Sequence, residues 1–292
     1  MIALVLASLL WGTTGTAATL IEASVGPALI GAVTMGVGGL LLLLVSLRGA
    51  RALLGDRGSR RWVVLGGVAV VAYPLSFYPA MAGAGVAAGN AVSLGSAPLF
   101  AALLEWSIER RRPSRPWWWA TALAGGGLVL LAVGGAESGR SPRAALGGLA
   151  LGLLAGLSYA TYTYASRRIL ERGHPPRLVM GAVFGAGALP LLALIGVQLG
   201  RVVAEPSSLP VLAYLAVGPM FLAYLLFGHG LRQVASSTAT TVTLLEPVAA
   251  TLLAVLVVGE RLPAPGWLGL GALVGGVLLL VPRSPRTGVV PG

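Results

Sequence analysis

The sequence predicts an all-α membrane protein: ten transmembrane helices, arranged as two inverted five-helix repeats. Three observations carry this prediction. First, 56% of the 292 residues are hydrophobic and only 10% are charged, against roughly 25% charged in soluble domains. So little polar surface cannot cover a water-soluble globule, and lipid becomes the natural solvent. Second, the apolar residues fall into ten long stretches, each near the ~20 residues that cross the hydrocarbon core as a helix. Third, the chain matches itself at one constant offset.

The ten stretches are 1–21, 27–47, 62–82, 88–108, 117–136, 144–165, 177–199, 208–228, 236–258 and 265–282. The first has no basic residue ahead of it, which argues for a retained helix over a cleaved signal peptide. The second is rich in small residues (Gly36, Gly38, Gly39), as are the fifth (Gly125 to Gly127) and sixth (Gly147, Gly148, Gly152, Gly156). Such residues let membrane helices pack closely. The third carries Tyr73, Phe77 and Tyr78, and the fourth carries Asn90, Ser93, Pro98 and Glu105. Glu105 lies near the end of its stretch, within reach of the interface. Trp117 to Trp119 open the fifth beside the Arg110–Arg115 cluster and suit an interfacial belt. Tyr159, Tyr162 and Tyr164 close the sixth, where tyrosines are usually interfacial anchors, Tyr159 being the deeper, and His229 closes the eighth as an interfacial residue. The ninth holds Thr240, Thr241, Thr243, Glu246 and Pro247, and is followed by a short turn with Glu260 and Arg261. None of the stretches shows the alternation of a barrel strand.

Arginine sets the orientation. All 20 basic residues are arginine. With the N-terminus in the cytoplasm, 16 of them fall on the cytoplasmic side and 4 (Arg140, Arg143, Arg201, Arg261) outside, the bias expected of a cytoplasmic membrane protein. Both termini are then cytoplasmic. The net charge of +11 is therefore read as membrane orientation and not as nucleic-acid binding.

The self-match has an offset of 149 residues: Glu22 meets Glu171, Pro27 meets Pro176, Pro98 meets Pro247, Pro116 meets Pro265 and Trp118 meets Trp267. Each half holds an odd number of crossings, so the second half must enter the membrane from the opposite side. Inverted repeats of this kind are common in secondary transporters, with the binding site near the midplane between the halves. The expected division is 1–143, 144–283 and a short cytoplasmic tail, 284–292.

The segment Leu244-Leu245-Glu246-Pro247-Val248, followed by Gly259-Glu260-Arg261 and Trp267 to Leu280, resembles the EamA-type exporters of the drug/metabolite transporter superfamily. A degenerate copy, Ala97-Pro98-Leu99 with Glu109-Arg110 and Trp118 to Leu131, stands in the first half, and Trp11-Gly12 is similar to the family's opening. The resemblance implies ten helices, cytoplasmic termini and export of small metabolites, amino acids or drugs. Ala97 stands where the second half has Glu246, so two equivalent acidic sites are not expected.

Glu246 falls near the bilayer centre, where a carboxylate is costly and marks a functional site by default. It is the candidate for proton coupling or for binding a substrate amine, beside the alternative of a structural hydrogen bond. Trp11, Tyr73, Tyr78 and Tyr159 sit deep enough to line a cavity for amphipathic solutes. Asn90, Ser93, Thr240 and Thr243 offer hydrogen-bonding groups on the two helices with matched prolines. Pro98 and Pro247 are hinge candidates, since proline removes a backbone donor and kinks a helix. With no cysteine and two histidines, no metal centre is expected, and no cofactor motif is present. The partners expected are a small-molecule substrate and the bilayer, with monomer and homodimer both compatible. An intramembrane enzyme or a non-transporting scaffold is the alternative; the first would need an acid or His cluster at one face, the second larger soluble loops.

Overall fold

The computed structural model describes residues 1–18, 20–22, 24–84, 86–134, 142–253, 255–256 and 264–280. The Gly259-Glu260-Arg261 turn, Arg140, Arg283, Arg286 and the 284–292 tail lie outside the described residues. The regular structure described is helical throughout: α1 Ile2–Ala18, α2 Pro27–Gly55, α3 Arg57–Ala84, α4 Val86–Glu109, α5 Arg115–Gly134, α6 Pro142–Leu170, α7 Pro176–Val197, α8 Leu199–Val203, α9 Leu209–Leu215, α10 Ala223–Leu231, α11 Ser236–Val242, α12 Leu245–Leu253 and α13 Ala264–Leu280. A 3₁₀ turn (Pro206–Ser208) leads into α9, and a π-helical stretch (Ala216–Leu222) joins α9 to α10. Among the described residues, six helical stretches are long and apolar enough to cross a membrane, the last being the composite Pro206–Leu231. α1 and α13 are apolar but shorter.

Two prolines reshape the helices that hold them. The predicted single helix over 236–258 is instead broken: α11 ends at Val242 and α12 starts at Leu245. Pro247 explains the break. Its ring crowds the carbonyl of the residue four earlier, Thr243, and that carbonyl accepts from Glu246 N–H at 2.9 Å instead, a tighter turn. Pro219 lies inside the π stretch, whose wider turn accommodates a residue that cannot donate. By contrast, Pro98 sits in an unbroken α4.

Other expectations need correction. α6 continues to Leu170, so Tyr162 and Tyr164 are buried at 1% exposure and are not interfacial anchors. Trp117 is buried, while Trp118 and Trp119 are exposed as an interfacial belt requires. Glu105 does not reach the interface. It is buried and accepts from Ser237 N–H (3.0 Å) and Ser237 Oγ (2.6 Å), capping α11.

Small residues set the packing. α2 lies against α7, α5 against α13, α3 against α6, α4 against α6 and α11, and α1 against α10 and α12. At the α5–α13 crossing a Cβ on Gly127 would sit 2.5 Å from the Gly269 carbonyl and 2.8 Å from Leu273 N. A Cβ on Gly276 would sit 2.6 Å from the Ala120 carbonyl and 2.8 Å from Ala124 N. Gly276, Gly269 and Leu273 follow Gly127, Ala120 and Ala124 by 149 residues each. The crossing is thus reciprocal and antiparallel. Gly38 against the Ala216 carbonyl and Gly187 against the Gly67 carbonyl repeat the same offset elsewhere.

The two ends of α2 are tied differently. Past its C-terminus, Asp56 accepts from Arg172 Nε (2.6 Å) and Nη2 (2.8 Å) and from Ser59 Oγ (2.6 Å), with His174 Nε2 at 3.5 Å. The Arg172 guanidinium holds the Asp56 carboxyl well below the usual carboxylate range, and Asp56 in turn raises Arg172. Before the N-terminus of α2, Ser24 Oγ donates to Glu205 Oε1 (2.9 Å) and Glu22 N–H donates to Ser208 Oγ (3.1 Å). Glu205 and Ser208 follow Asp56 and Ser59 by 149 residues.

Candidate functional site

The site forms where α1, α2, α3, α6, the π stretch, α10 and α12 converge. Its depth comes from backbone proximity on one side. Gly12 in α1 meets Ala249 and the Glu246 carbonyl, so the helix bearing Glu246 lies directly on α1. The neighbouring Trp11 is fixed by donating Nε1–H to the Pro219 carbonyl at 2.7 Å. The bent, proline-bearing stretch therefore presents that carbonyl to the indole.

Around Trp11 the rings of Tyr224 (4.9 Å), Phe227 (5.4 Å) and Tyr159 (6.5 Å) form an aromatic wall. Tyr73 adds edge contacts to Tyr159 and Tyr162, both at 5.9 Å. Hydroxyls lock the wall in place. Tyr162 and Tyr224 share a hydrogen bond of 2.7 Å. Thr243 Oγ1 donates to the Thr240 carbonyl (3.0 Å), so it accepts from Tyr159 OH (2.7 Å).

Trp11, Tyr73, Tyr159, Tyr162 and Tyr224 line a cavity of about 70 Å³ with Glu246 on its wall. At roughly 10–15 Å³ per water, that is room for several waters. Glu246 is half-buried, and among the described residues its carboxylate has neither a hydrogen-bond nor an ion-pair partner. Among the described residues no arginine or histidine lines the cavity. A lone carboxylate facing aromatic rings suits a proton or an organic cation, since both the charge and the ring faces attract positive charge.

The cavity brings together five sequence candidates: Trp11, Tyr73, Tyr78, Tyr159 and Glu246. Thr243 stands behind Tyr159 as its hydrogen-bond partner. Thr240 and Ser93 close on their own helices, through the Ser236 and Gly89 carbonyls, and do not line the cavity. Asn90 also lies off the cavity, and its Oδ1 has no partner among the described residues. Pro247 borders Glu246 at the helix break, whereas Pro98 is remote from the lining. The sequence reading missed Tyr162, Tyr224, Thr14, Thr34, Met35, Pro219 and Met220, and did not assign Phe77 to the lining. The spacing of Tyr159 and Tyr162, which shares one helix face, is the signal that could have found the first of these.

The chain matches the EamA-like transporter family over residues 1–133 and 146–281. It belongs to that family. Uncharacterized transporter YwfM of Bacillus subtilis (strain 168) is 33% identical over 284 residues, covering 97% of this chain and 94% of that protein. A protein crystal structure with 21% identity shares the fold at a TM-score of 0.73, covering 96% of this chain and 95% of its own. As an EamA-like transporter with several long apolar helices, the chain is a multi-pass membrane transport protein for a small-molecule substrate. The Leu245-Glu246-Pro247 segment, which lies inside the second matched stretch, supplies the cavity's carboxylate.

Proposed function

We propose that this EamA-like transporter is a secondary exporter working by alternating access in the cytoplasmic membrane. Its two inverted five-helix repeats are 1–143 and 144–283, with the 284–292 tail and both termini in the cytoplasm. Its substrates are small organic metabolites, amino acids or drugs, neutral or amine-bearing in their reacting part. Glu246 is the coupling or binding carboxylate, ringed by Trp11, Tyr73, Tyr78 and Tyr159.

The observation that carries this reading is an unpartnered carboxylate in an aromatic cavity built by helices from both halves. Even a half-buried charge without a partner is expensive, so it persists where a transported species supplies the partner. The repeat is supported by the reciprocal α5–α13 crossing, where equivalent helices run antiparallel at one sequence offset. Two units related in this way can exchange conformations and so exchange the open side. The broken α11–α12 path beside Glu246 supports a movable element at the site. The arginine distribution supports the orientation.

Purified protein in vesicles with an imposed pH gradient tests the reading. Efflux or uptake of fluorescent amines should depend on the protein. Glu246→Gln should abolish its dependence on the pH gradient. Unchanged coupling in that variant would remove Glu246 from the mechanism. Because the natural chain lacks cysteine, Arg57→Cys and Ser207→Cys can report sidedness to an impermeant thiol label. The two exposed positions should label from opposite faces, and labelling from the same face would refute the inverted repeat.

A further inference from the structure

We infer that the groove between the end of α2 and the start of α7 binds an anionic phospholipid, with Arg48 and Arg177 holding its phosphate. A cavity of about 370 Å³ opens there, lined by Leu44, Val45, Arg48, Pro175, Arg177 and Leu178, among others. It is separate from the aromatic cavity and shares no residue with it.

The chemistry of the groove is divided by height. α2 is apolar up to Leu47 and first becomes charged at Arg48. α7 runs the opposite way, with Arg177 at its second residue and apolar residues following. The two helices cross at this level, since a Cβ on Gly49 would lie 3.0 Å from the Leu178 side chain. Arg48 and Arg177 therefore leave their helices at one level, at the boundary of the apolar spans, and both line the groove. Below them Leu44 and Val45 are 52% and 43% exposed and face hydrocarbon. An ion dissolved in water would use the arginines and leave those leucine and valine faces unused. A phospholipid uses both, phosphate above and acyl chain below.

The two cations are also free for it. Among the described residues neither Arg48 nor Arg177 has a hydrogen-bond or ion-pair partner. The nearby carboxylates are taken: Asp56 by Arg172, Glu171 by Arg167 and Arg168, and Glu109 by Arg111 and Arg168. The α7 N-terminus has no side-chain cap, and since Pro175 and Pro176 carry no N–H while those of Leu178 and Val179 bond the Pro175 carbonyl, the Arg177 N–H alone is left there to add to the positive end of the helix dipole. Two unpaired guanidinium groups select a net-negative headgroup over a zwitterionic one, in which an ammonium already neutralises the phosphate. Because α2 and α7 belong to different halves of the chain, the lipid spans the seam between them.

Thermal unfolding of the delipidated full chain in detergent tests this, with phosphatidylglycerol, phosphatidylcholine or inorganic phosphate added. Phosphatidylglycerol should raise the melting temperature through mass action, and the other two should not. Arg48→Gln with Arg177→Gln should remove the shift, each substitution weakening binding about fivefold, which is about 1 kcal/mol per arginine. Arg60→Gln with Arg232→Gln, on exposed arginines outside the groove, should keep it. Equal shifts from phosphatidylcholine or phosphate overturn the proposal. So does a shift that survives the groove variant, or one lost equally in the control, which would mean a diffuse basic surface. Native mass spectrometry of the unmodified protein offered both lipids needs no variant: preferential retention of phosphatidylglycerol is expected, and equal retention overturns the site.

Discussion

Consider Gly127→Ala and Gly276→Ala at the α5–α13 crossing. Each adds one methyl group against backbone, 2.5 Å from the Gly269 carbonyl in one case and 2.6 Å from the Ala120 carbonyl in the other. Ordinary contact begins at 3.4 Å, and a carbonyl on a facing helix cannot rotate away as a side chain would. The helices must part by about 1 Å, a gap that forfeits roughly a quarter to a half of each dispersion contact. The expected cost is about 1–3 kcal/mol for each variant. Gly126→Ala is the control, because a Cβ there meets nothing within 4 Å; with alanine favoured over glycine in helices by about 1 kcal/mol, it should be neutral or stabilising. The double variant is the sharper test. Once one methyl has parted the crossing, the second finds room, so the double should cost less than the sum of the singles by at least about 0.5 kcal/mol. Titration from mild detergent into dodecyl sulfate, followed by helical circular dichroism, reads all four proteins. Strict additivity, or a Gly126→Ala cost equal to that of Gly127→Ala, would refute the reciprocal crossing.

Three further outcomes follow from the side chains. Tyr162→Phe strands the Tyr224 hydroxyl and should cost about 1–3 kcal/mol, while Tyr159→Phe leaves Thr243 bonded to the Thr240 carbonyl and should cost only about 0.5–1.5 kcal/mol; the same dodecyl sulfate titration would show the order, and a reversed order would contradict the bonding. Asp56→Asn should raise thiol labelling at position 57, because the bidentate tie to Arg172 is lost. In the parent that labelling, divided at each pH by the rate of a free cysteine peptide to remove the thiol's own titration, should stay flat from about pH 8 to about pH 5: a carboxyl held below its ordinary 3.8 keeps its stabilising effect above that value and loses it only as pH falls further. A step near neutral pH would assign the tie to another group. Gly12→Ala should impair transport more than stability, since the added methyl meets the Glu246 carbonyl and Ala249 and displaces the helix that carries Glu246; unchanged transport would uncouple α1 packing from the site.

The membrane class was plain in the residues because lipid turns composition into a direct signal: a helix facing hydrocarbon must be apolar almost all round. The glycine crossings were visible only as richness in small residues. Which glycines touch backbone could not be read, and Gly125 and Gly126 touch nothing while Gly127 does. At the site, large aromatics and the lone acid stood out, because each has few comfortable places in lipid. Ser93 and Thr240 did not, because a short hydroxyl can satisfy itself on its own helix, and sequence does not tell that state from cavity lining. Tyr162 was misjudged by its place near the end of an apolar run, yet α6 carries on to Leu170 with Arg167 and Arg168 turned to Glu171. Arg167 also donates to the Leu231 and Arg232 carbonyls, closing the end of α10.

Each end of α2 meets an acid, Asp56 at one and Glu205 at the other, 149 residues apart in the chain, but the two acids are held by different partners. Asp56 clasps the Arg172 cation, whereas Glu205 accepts, among the described residues, from the neutral Ser24 hydroxyl. A device with interchangeable halves would spend equal time facing either way. On the proposed inverted repeat, the side held by the Asp56–Arg172 ion pair should be the harder one to open, and exchanging Ser24 for a cation should bring the two sides closer to balance.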